Sequence, residues 1–367
     1  MIFTPDDHRY MARALELARR GLYTTTPNPR VGCVIVGKGT GVSDVVGEGW
    51  HERTGEPHAE VLALRAAGAR ARGATLYVTL EPCAHQGRTA PCCEALIAAG
   101  VARVVAAMED PNPLVAGRGY ATLRAANVAV ESGLMAHEAG ELNIGFVSRM
   151  TRARPWVRLK VAASLDGRTA LLNGQSQWIT GAPARRDGHA WRARACAVLT
   201  GIGTVKDDNP QLSVRDVATT RQPLRVVVDS RLETPPDANV VGKGTVIAAA
   251  MNLVNPMQAL QARGAEVIVL PNAAGKVELS DLLLELGRRG VNELHVEAGC
   301  KLNGSLLNEG LVDELLLYLA PCLLGDAAQG MFHLPELKAL SEQRKLTIVD
   351  VRQIGADIRI LARVVPV

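Results

Sequence analysis

Residues 58–93 decide the fold of this chain, and they read HAEVLALRAAGARARGATLYVTLEPCAHQGRTAPCC. His58 and Glu60 begin a stretch whose apolar residues have helical spacing. The apolar side of that helix is expected to consist of Val61, Leu62 and Leu64. Residues 75–80 follow and predict a strand. A site built at a helix start and a strand end is typical of an α/β sheet.

The reactive residues of this stretch form a candidate zinc site. Cys83 follows the predicted strand, and eight residues separate it from Cys92. One imidazole, from His58, and two thiolates are three zinc ligands, which leaves a fourth position open for water. Glu60 lies on the same helical turn as His58, so it can exchange a proton with that water without binding the metal. His-x-Glu with Pro-Cys and a second Cys is the signature of zinc deaminases, although two residues usually separate the cysteines.

Two alternatives remain open at this site. Spacing alone does not decide between Cys92 and Cys93 as the third ligand; we predict Cys92, with Cys93 turned into the following helix. A closed zinc site with a purely structural role is the other alternative. We favour a functional site, because these residue types occur together at a helix start and at a strand end.

Composition excludes several classes of protein. The chain has 367 residues, enough for two or three domains, and 47% are hydrophobic, enough for packed cores. A net charge of +4 and an aromatic content of 3% argue against a nucleic-acid partner. Seven cysteines, an odd number, fit a reducing compartment. Neither a signal peptide nor an apolar run long enough to span a membrane is present, so we expect a cytoplasmic protein.

Strands and helices alternate along the whole chain, which predicts two α/β domains. The boundary is placed in the basic, proline-ended stretch at residues 149–155, giving domains of residues 1–150 and 154–367. Prolines at positions 27 and 29 hold Asn28 on a rigid loop. The chain ends in two strands around Gly355, which predict an antiparallel hairpin.

Two glycine-containing segments of the second domain are candidates for binding phosphate. Residues 297–305 join a strand to a helix, whose N-terminal N–H groups suit a pyrophosphate. Residues 200–204 form a similar glycine loop at a strand end. Neither segment matches a Walker loop or a Rossmann fingerprint, so each alone is better explained as an ordinary turn. Together, in one domain, they suggest a dinucleotide.

The chain also resembles a known family, the bifunctional riboflavin-biosynthesis deaminases/reductases. In the first half the resemblance is carried by residues 26–32 (TPNPRVG), 55–60 (GEPHAE) and 79–83 (TLEPC) with the following Cys92. In the second half it is carried by residues 163–167 (ASLDG), 176–180 (SQWIT), 228–230 (VDS) and 296–299 (VEAG). It covers almost the whole chain. It implies an N-terminal cytidine-deaminase-like three-layer domain and a C-terminal dihydrofolate-reductase-like domain.

The resemblance implies two consecutive reactions on one small-molecule substrate. A zinc-bound hydroxide would deaminate 2,5-diamino-6-(5-phosphoribosylamino)pyrimidin-4-one to the aminouracil, with Glu60 moving the proton. NADPH would then reduce the ribosyl group to ribityl. The implied cofactors are one zinc ion per chain and NADPH. A homo-oligomer is expected, with a dimer favoured, and neither nucleic acid nor a membrane is expected as a partner.

Individual residues take roles from the same resemblance. The implied zinc ligands are His58, Cys83 and Cys92, and the implied proton donor is Glu60. The implied NADPH contacts are Ala162, Trp178, Thr204, Asp208, Ser230 and the loop made of Gly299, Cys300, Lys301, Leu302, Asn303, Gly304 and Ser305. The implied substrate contacts of the reductase are Ser176, Arg192, Leu212, Arg215 and Glu297. From their placement beside the zinc motifs, Asn28 and Arg88 are candidates for holding the pyrimidine and its 5′-phosphate, although Arg88 equally fits a solvated loop.

Two rival functions belong to other classes. The first is a nucleic-acid base deaminase whose second domain binds RNA, and it requires the clustered aromatic and basic residues that this sequence lacks. The second is a zinc-stabilised nucleotide sensor without chemistry. Release of ammonia from a pyrimidine nucleotide would exclude the sensor.

Overall fold

The computed structural model describes residues 3–37, 45–84, 91–113 and 115–365. The chain divides into two units, Met1–Ala153 and Arg154–Val367. Within the described ranges, no helix combines the length and the apolar character needed to cross a membrane.

The first unit is built on a five-stranded sheet. Its strands are β1 (Gly32–Val36), β2 (Val45–Trp50), β3 (Thr75–Val78), β4 (Arg103–Ala106) and β5 (Ala129–Ser132). They lie in the order β2-β1-β3-β4-β5. Strand β1 is antiparallel to both of its neighbours, and β3, β4 and β5 are parallel.

Helices cover both faces of this sheet. They are α1 (Pro5–Arg20), α2 (Ala59–Ala67), α3 (Cys92–Ala98), α4 (Arg118–Ala125), α5 (Ala136–Leu142) and α6 (Ile144–Arg152). Successive strand residues point to opposite faces: Leu76 and Val78 pack with α2, α3 and α4, whereas Tyr77 packs with α1 and α5. The predicted three-layer architecture is therefore confirmed.

Helix α2 lies directly on β2, because β2 has glycine where the two backbones meet. A Cβ atom at Gly47 would lie 2.2 Å from the carbonyl oxygen of Ala63, and one at Gly49 would lie 2.5 Å from that of Ala59. The buried apolar side of α2 is accordingly made of small residues, Ala59, Ala63 and Ala67. The expectation that Val61, Leu62 and Leu64 form it is wrong: they are only half-buried, because the close approach leaves no room for larger side chains.

The second unit is built on a nine-stranded sheet. Its strands are β6 (Trp156–Ser164), β8 (Ala197–Gly201), β9 (Leu224–Val228), β10 (Thr245–Ala249), β11 (Glu266–Val269), β12 (Glu293–Val296), β13 (Glu314–Ala320), β15 (Leu346–Ile354) and β16 (Asp357–Val364). A separate pair consists of β7 (Arg168–Ala170) and β14 (Gln329–Gly330). The order of the large sheet is β11-β10-β9-β8-β12-β6-β13-β16-β15. Only β16 and β15 are antiparallel to their neighbours, which confirms the predicted hairpin.

The helices of this unit are α7 (Ala182–Arg194), α8 (Ile202–Asp208), α9 (Val254–Ala262), α10 (Leu279–Arg288) and α11 (Cys300–Asn308). Two of them correct the predicted glycine loops. Residues 200–204 are not a loop, because β8 runs directly into α8 with Gly201 as the N-cap. Likewise, Gly299 is the N-cap of α11, so the segment from Cys300 to Ser305 is helical.

A buried row of charged side chains lies between the central strands and α7. Glu293, His295 and Glu297 are two residues apart and therefore point to the same face. Arg158 of β6 is buried and donates to Glu293 at 3.0 Å, and Arg194 of α7 donates to the same carboxylate at 2.7 Å. Buried ion pairs of this kind contribute geometry more than net stability. These ion pairs therefore fix Glu293, at the start of β12, relative to β6 and α7.

Candidate functional site

His58, Cys83 and Cys92 meet at the end of β3. His58 is the N-cap of α2, Cys83 follows β3, and Cys92 is the first residue of α3. Nδ1 of His58 lies 3.3 Å from Sγ of Cys92 and 3.6 Å from Sγ of Cys83, and the three ligand atoms all lie within 4.8 Å of one another. Tetrahedral zinc with ordinary Zn–N and Zn–S bonds separates these atoms by about 3.6 Å. The donor set therefore fits zinc.

Cys93 is directed away from this group. Its thiol is buried and donates to the carbonyl oxygen of Pro82 at 3.2 Å, and it lies 3.5 Å from the carbonyl oxygen of Gly119. Burial raises the pKa of the Cys93 thiol to about 12. Among the described residues, Cys92 and not Cys93 faces His58 and Cys83.

Of the two cysteines in the ligand group, Cys83 has the more acidic thiol. Hydrogen bonds with the Cys92 thiol and with His58 lower the pKa of Cys83, and the same pairing raises the pKa of Cys92. The backbone N–H of Cys92 also donates to its sulfur at 3.4 Å. Because the thiolate is the form that binds zinc, these contacts favour Cys83 as the first thiolate to form.

Glu60 lies in the first turn of α2, beside the ligand group, and is buried. Burial, and then the nearby Cys83, raise the pKa of the Glu60 carboxyl. A raised pKa lets a carboxyl group both accept and release a proton near neutral pH. Glu60 can therefore serve as a general acid and base.

Asn28, a predicted substrate contact, pairs beside His58 with His51, a residue that the sequence did not indicate. The His51 and His58 ring centroids are 5.5 Å apart. Nδ1 of His51 lies 3.2 Å from the carbonyl oxygen of Pro57, which can only accept, so Nε2 accepts from the Asn28 amide at 3.1 Å. Burial lowers the pKa of His51. The Asn28 side chain is thus held in one orientation by a neutral histidine. The other predicted contact for the deaminase substrate, Arg88, lies outside the described residues.

Glu81 connects the zinc segment to the loop before α4. Its buried carboxylate accepts four backbone N–H groups, from Asp110 at 3.1 Å, Gly117 at 3.0 Å, Gly119 at 2.8 Å and Tyr120 at 3.3 Å. The loop is therefore fixed relative to Cys83. The sequence contains Glu81 within a motif but gives no sign of this role, because its partners are backbone groups distant along the chain.

The second unit contains a cleft of about 690 Å³. It is lined by all five predicted substrate contacts, which are Ser176, Arg192, Leu212, Arg215 and Glu297. It is also lined by six of the predicted NADPH contacts, which are Ala162, Trp178, Thr204, Asp208, Gly299 and Cys300. The remaining predicted NADPH contacts lie outside this lining: Ser230, Lys301, Leu302, Asn303, Gly304 and Ser305.

Local structure explains why part of the predicted NADPH segment lies away from the cleft. The helix begins at Cys300, so only its first turn reaches the cleft wall. A Cβ atom at Gly304 would lie 2.0 Å from the carbonyl oxygen of His333, so this glycine is required by packing. The Ser230 hydroxyl accepts the backbone N–H of Val277 at 3.1 Å.

Glu297 is the centre of charge in the cleft. Arg192 donates two hydrogen bonds to its carboxylate, from Nε and from Nη2. Nζ of Lys160 lies 3.8 Å from Oε2 of Glu297, and Nε2 of His295 lies 3.4 Å from Oε1. Burial opposes ionisation, but Arg192 and Lys160 hold the pKa of Glu297 well below its usual range. Lys160 and His295 were not predicted, because both lie in strands whose pattern gives no functional signal.

Trp178 stands at the mouth of the cleft with 70% of its surface exposed. The Arg185 guanidinium lies 4.5 Å from the centre of its ring and is fixed by a 2.7 Å hydrogen bond to the carbonyl oxygen of Thr180. The N-terminus of α11, at Gly299, opens on the same cleft and offers N–H groups suited to a pyrophosphate. A large cleft with an aromatic face and such donors fits NADPH.

The three-layer unit with its zinc ligand group, and the separate unit with its cleft for a dinucleotide, together define a fused zinc deaminase and reductase. Residues 4–108 match the cytidine and deoxycytidylate deaminase zinc-binding region, and residues 155–360 match the RibD C-terminal domain. The chain belongs to the RibD family of riboflavin biosynthesis proteins, which are bifunctional deaminases and reductases with zinc and NADPH as cofactors.

Named relatives resemble the chain over nearly its whole length. The riboflavin biosynthesis protein RibD of Escherichia coli K12 is 48% identical, over 96% of this chain and 98% of that protein. The Haemophilus influenzae protein of the same name is 44% identical, over 98% and 97%. The solved structure of Acinetobacter baumannii RibD, form 1, is 43% identical over 98% of this chain and 99% of that chain, with a TM-score of 0.91. The predicted family, fold, two activities and cofactors are confirmed, and the nucleic-acid alternative is not favoured.

The two adjacent cysteines provide a matched test of the metal site. We expect Cys92→Ser to lose most of its zinc, because it removes one of three protein ligands, and Cys93→Ser to keep about one zinc per chain. Zinc content after dialysis against a chelator, measured by plasma mass spectrometry, distinguishes the two. Zinc lost from Cys93→Ser but kept by Cys92→Ser would show that the ligand assignment is wrong.

Proposed function

We propose that the first unit deaminates 2,5-diamino-6-(5-phosphoribosylamino)pyrimidin-4-one and that the second reduces the ribosyl group of the resulting aminouracil to ribityl. Deamination is assigned to residues 1–150 and reduction to residues 154–367. The main structural support for this proposal is that Glu60 is buried beside the ligand group of His58, Cys83 and Cys92. A Thermotoga maritima structure, 31% identical over 98% of this chain with a TM-score of 0.86, is titled a diaminohydroxyphosphoribosylaminopyrimidine deaminase/5-amino-6-(5-phosphoribosylamino)uracil reductase.

In the deaminase site, Glu60 moves the protons. His58, Cys83 and Cys92 would hold zinc, which would lower the pKa of a bound water to about 7 and so make a nucleophile available at neutral pH. The Glu60 carboxylate would accept the first proton of the water and deliver it to the ring nitrogen, and it would then carry the remaining hydroxyl proton of the adduct to the departing ammonia. Its burial and raised pKa suit both steps.

We assign recognition of the pyrimidine ring to Asn28. Its amide nitrogen is turned toward His51, and His51 is neutral because burial lowers its pKa. A fixed amide can distinguish donors from acceptors on the edge of a ring, since its own orientation cannot adapt. Arg88 is retained, from its sequence position, as the candidate contact for the 5′-phosphate.

In the reductase site, the substrate is assigned to Ser176, Arg192, Leu212, Arg215 and Glu297. The cofactor is assigned to Ala162, Trp178, Thr204, Asp208, Ser230 and Gly299 to Ser305. NADPH supplies hydride to C1′ of the ribosylamino group. The protein orients the two reactants: Glu297 is held rigidly by Arg192, and the cationic groups of Lys160 and Arg215 suit an anionic sugar phosphate.

We also propose that the chain forms a cytoplasmic homo-oligomer, with a dimer favoured. Strand β15 is at the edge of the nine-stranded sheet, and the β15–β16 hairpin exposes a row of apolar residues, Leu346, Ile348, Val349, Val351 and Ile358. A long apolar edge strand is a site for pairing with another chain. All seven cysteines are free thiols, which suits a reducing compartment.

Charged substitutions on this edge test the oligomer. We expect wild-type protein to sediment as a dimer and Ile348→Asp/Val351→Asp to sediment as a monomer, because the charges must be desolvated in a strand-paired interface. Analytical ultracentrifugation of both proteins measures the mass. A wild-type protein that is monomeric at micromolar concentration would contradict the proposal.

Glu60→Gln tests the assignment of the proton carrier. We expect it to keep zinc and to lose deamination by about 10²–10⁴-fold, because an amide cannot carry the proton. It should still oxidise NADPH when given the deaminated aminouracil ribose phosphate, and it should not do so when given the diamino precursor. Products are identified by mass spectrometry.

The matched control is Glu94→Gln, which changes an exposed glutamate of α3. It should keep both activities. Full deamination by Glu60→Gln would exclude the mechanism, and loss of NADPH oxidation with the deaminated substrate in folded protein would show that the two units are not independent.

A further inference from the structure

The loop of residues 211–216, which carries two of the assigned substrate contacts, is held by side chains from outside it. Leu212 has a φ of +53°, a conformation unfavourable for a residue with a side chain. The loop therefore needs external support. Gln222 bonds both backbone groups of Val214, at 2.8 and 3.0 Å, and Arg192 of α7 donates to the carbonyl oxygen of Ser213 at 3.1 Å.

His189 of α7 supports the loop at Arg215, an assigned substrate contact. The backbone N–H of Arg215 donates to Nδ1 of His189 at 3.4 Å. Nδ1 can accept only when it carries no proton, so the ring is neutral with its hydrogen on Nε2. Nε2 lies 3.7 Å from Oδ2 of Asp216, the next residue of the loop. The imidazole thus bridges two consecutive residues, and its own ring is buried.

We propose that His189 is a positioning residue of the reductase, which in its neutral form holds the Arg215 backbone so that the guanidinium faces the anionic substrate. The proposal rests on the proposed function, in which Arg215 contacts the substrate. Protonation of Nδ1 replaces an acceptor by a donor, which then faces the Arg215 N–H. The support at Arg215 is lost in that state, and the loop no longer presents its side chain.

The surroundings of His189 favour the neutral ring at physiological pH. The charged groups that act on it are Arg192 of its own helix, Glu297 after β12, and Arg215 and Asp216 of the loop. Burial, and then Arg192, lower the pKa of His189 below 6.5, although Asp216 opposes the change. The acceptor at Nδ1 is therefore present at neutral pH and is lost as the pH falls through this lowered pKa.

Because Arg215 would contact the substrate before and during reduction, losing its position weakens binding in both states. The KM for the aminouracil ribose phosphate should therefore rise, while kcat changes little. His189 does not belong to the assigned NADPH contacts, so the KM for NADPH should stay constant. A general loss of folded structure would instead lower kcat and raise both KM values.

The decisive comparison is the pH profile of KM in wild type, His189→Gln and His189→Phe. NADPH oxidation is followed with the deaminated substrate from pH 8 down through the pKa of His189, which a titration of its ring nitrogen-15 shifts locates. Wild-type KM should rise several-fold more on acidification than that of His189→Gln, whose amide oxygen accepts at every pH; the substrate phosphate titrates equally in both. His189→Phe should have a KM raised about tenfold at pH 8, consistent with loss of one hydrogen bond. Identical pH profiles for wild type and His189→Gln, or an unchanged KM in His189→Phe, would overturn the proposal.

Two further measurements keep the result interpretable. Nitrogen-15 chemical shifts of the His189 ring in wild type should identify the tautomer with hydrogen on Nε2, and the opposite tautomer would refute the proposal without any substitution. Arg215→Ala should raise the substrate KM at every pH. An unchanged KM in Arg215→Ala would instead refute the assignment of Arg215 to the substrate, which separates failure of the proposed function from failure of the role of His189.

Discussion

The close contact between the backbones of α2 and β2 is the constraint on which the first unit depends. Gly47 and Gly49 allow this contact, since a Cβ atom at either position would clash with the backbone of α2. The start of α2 carries His58 and Glu60, so this contact sets where the imidazole and the carboxyl stand relative to the cysteines after β3. The alanines of α2 are needed for the same reason as the glycines of β2. Proton transfer at Glu60 depends on a packing geometry built mainly from residues without functional groups.

In the second unit, buried ion pairs position the functional side chains. Glu297 faces the cleft, and its carboxylate is held by Arg192 from α7, with Lys160 of β6 and His295 of β12 nearby. Arg192 also fixes the loop of residues 211–216, so one arginine orients a cleft carboxylate and the loop that carries Leu212 and Arg215. A rigid arrangement of this kind lowers the cost of orienting substrate and cofactor.

Hydrophobic periodicity predicted the order of most strands and helices, because it is a local signal, whereas the three-layer first unit was implied by the family resemblance. It did not predict the helices that begin at Ile202 and Val254. The first begins between Gly201 and Gly203, a pattern typical of a turn, and the second has no side-chain cap. His51, Glu81, Lys160 and His189 were also missed as site residues. Their partners lie far along the chain or are backbone groups, so no spacing rule can find them.

The claim that the contact between α2 and β2 positions His58 and Glu60 is tested most directly by comparing the zinc content and deaminase activity of Gly49→Ala with those of Gly140→Ala. A Cβ at position 49 would lie 2.5 Å from the Ala59 carbonyl oxygen, whereas one at Gly140, in α5, meets nothing within 4 Å. We expect Gly49→Ala to displace α2, so that zinc is bound more weakly and ammonia release falls, while NADPH oxidation with the deaminated substrate continues. Gly140→Ala should match wild type. Wild-type zinc affinity and ammonia release in Gly49→Ala would contradict the claim that this contact positions His58 and Glu60.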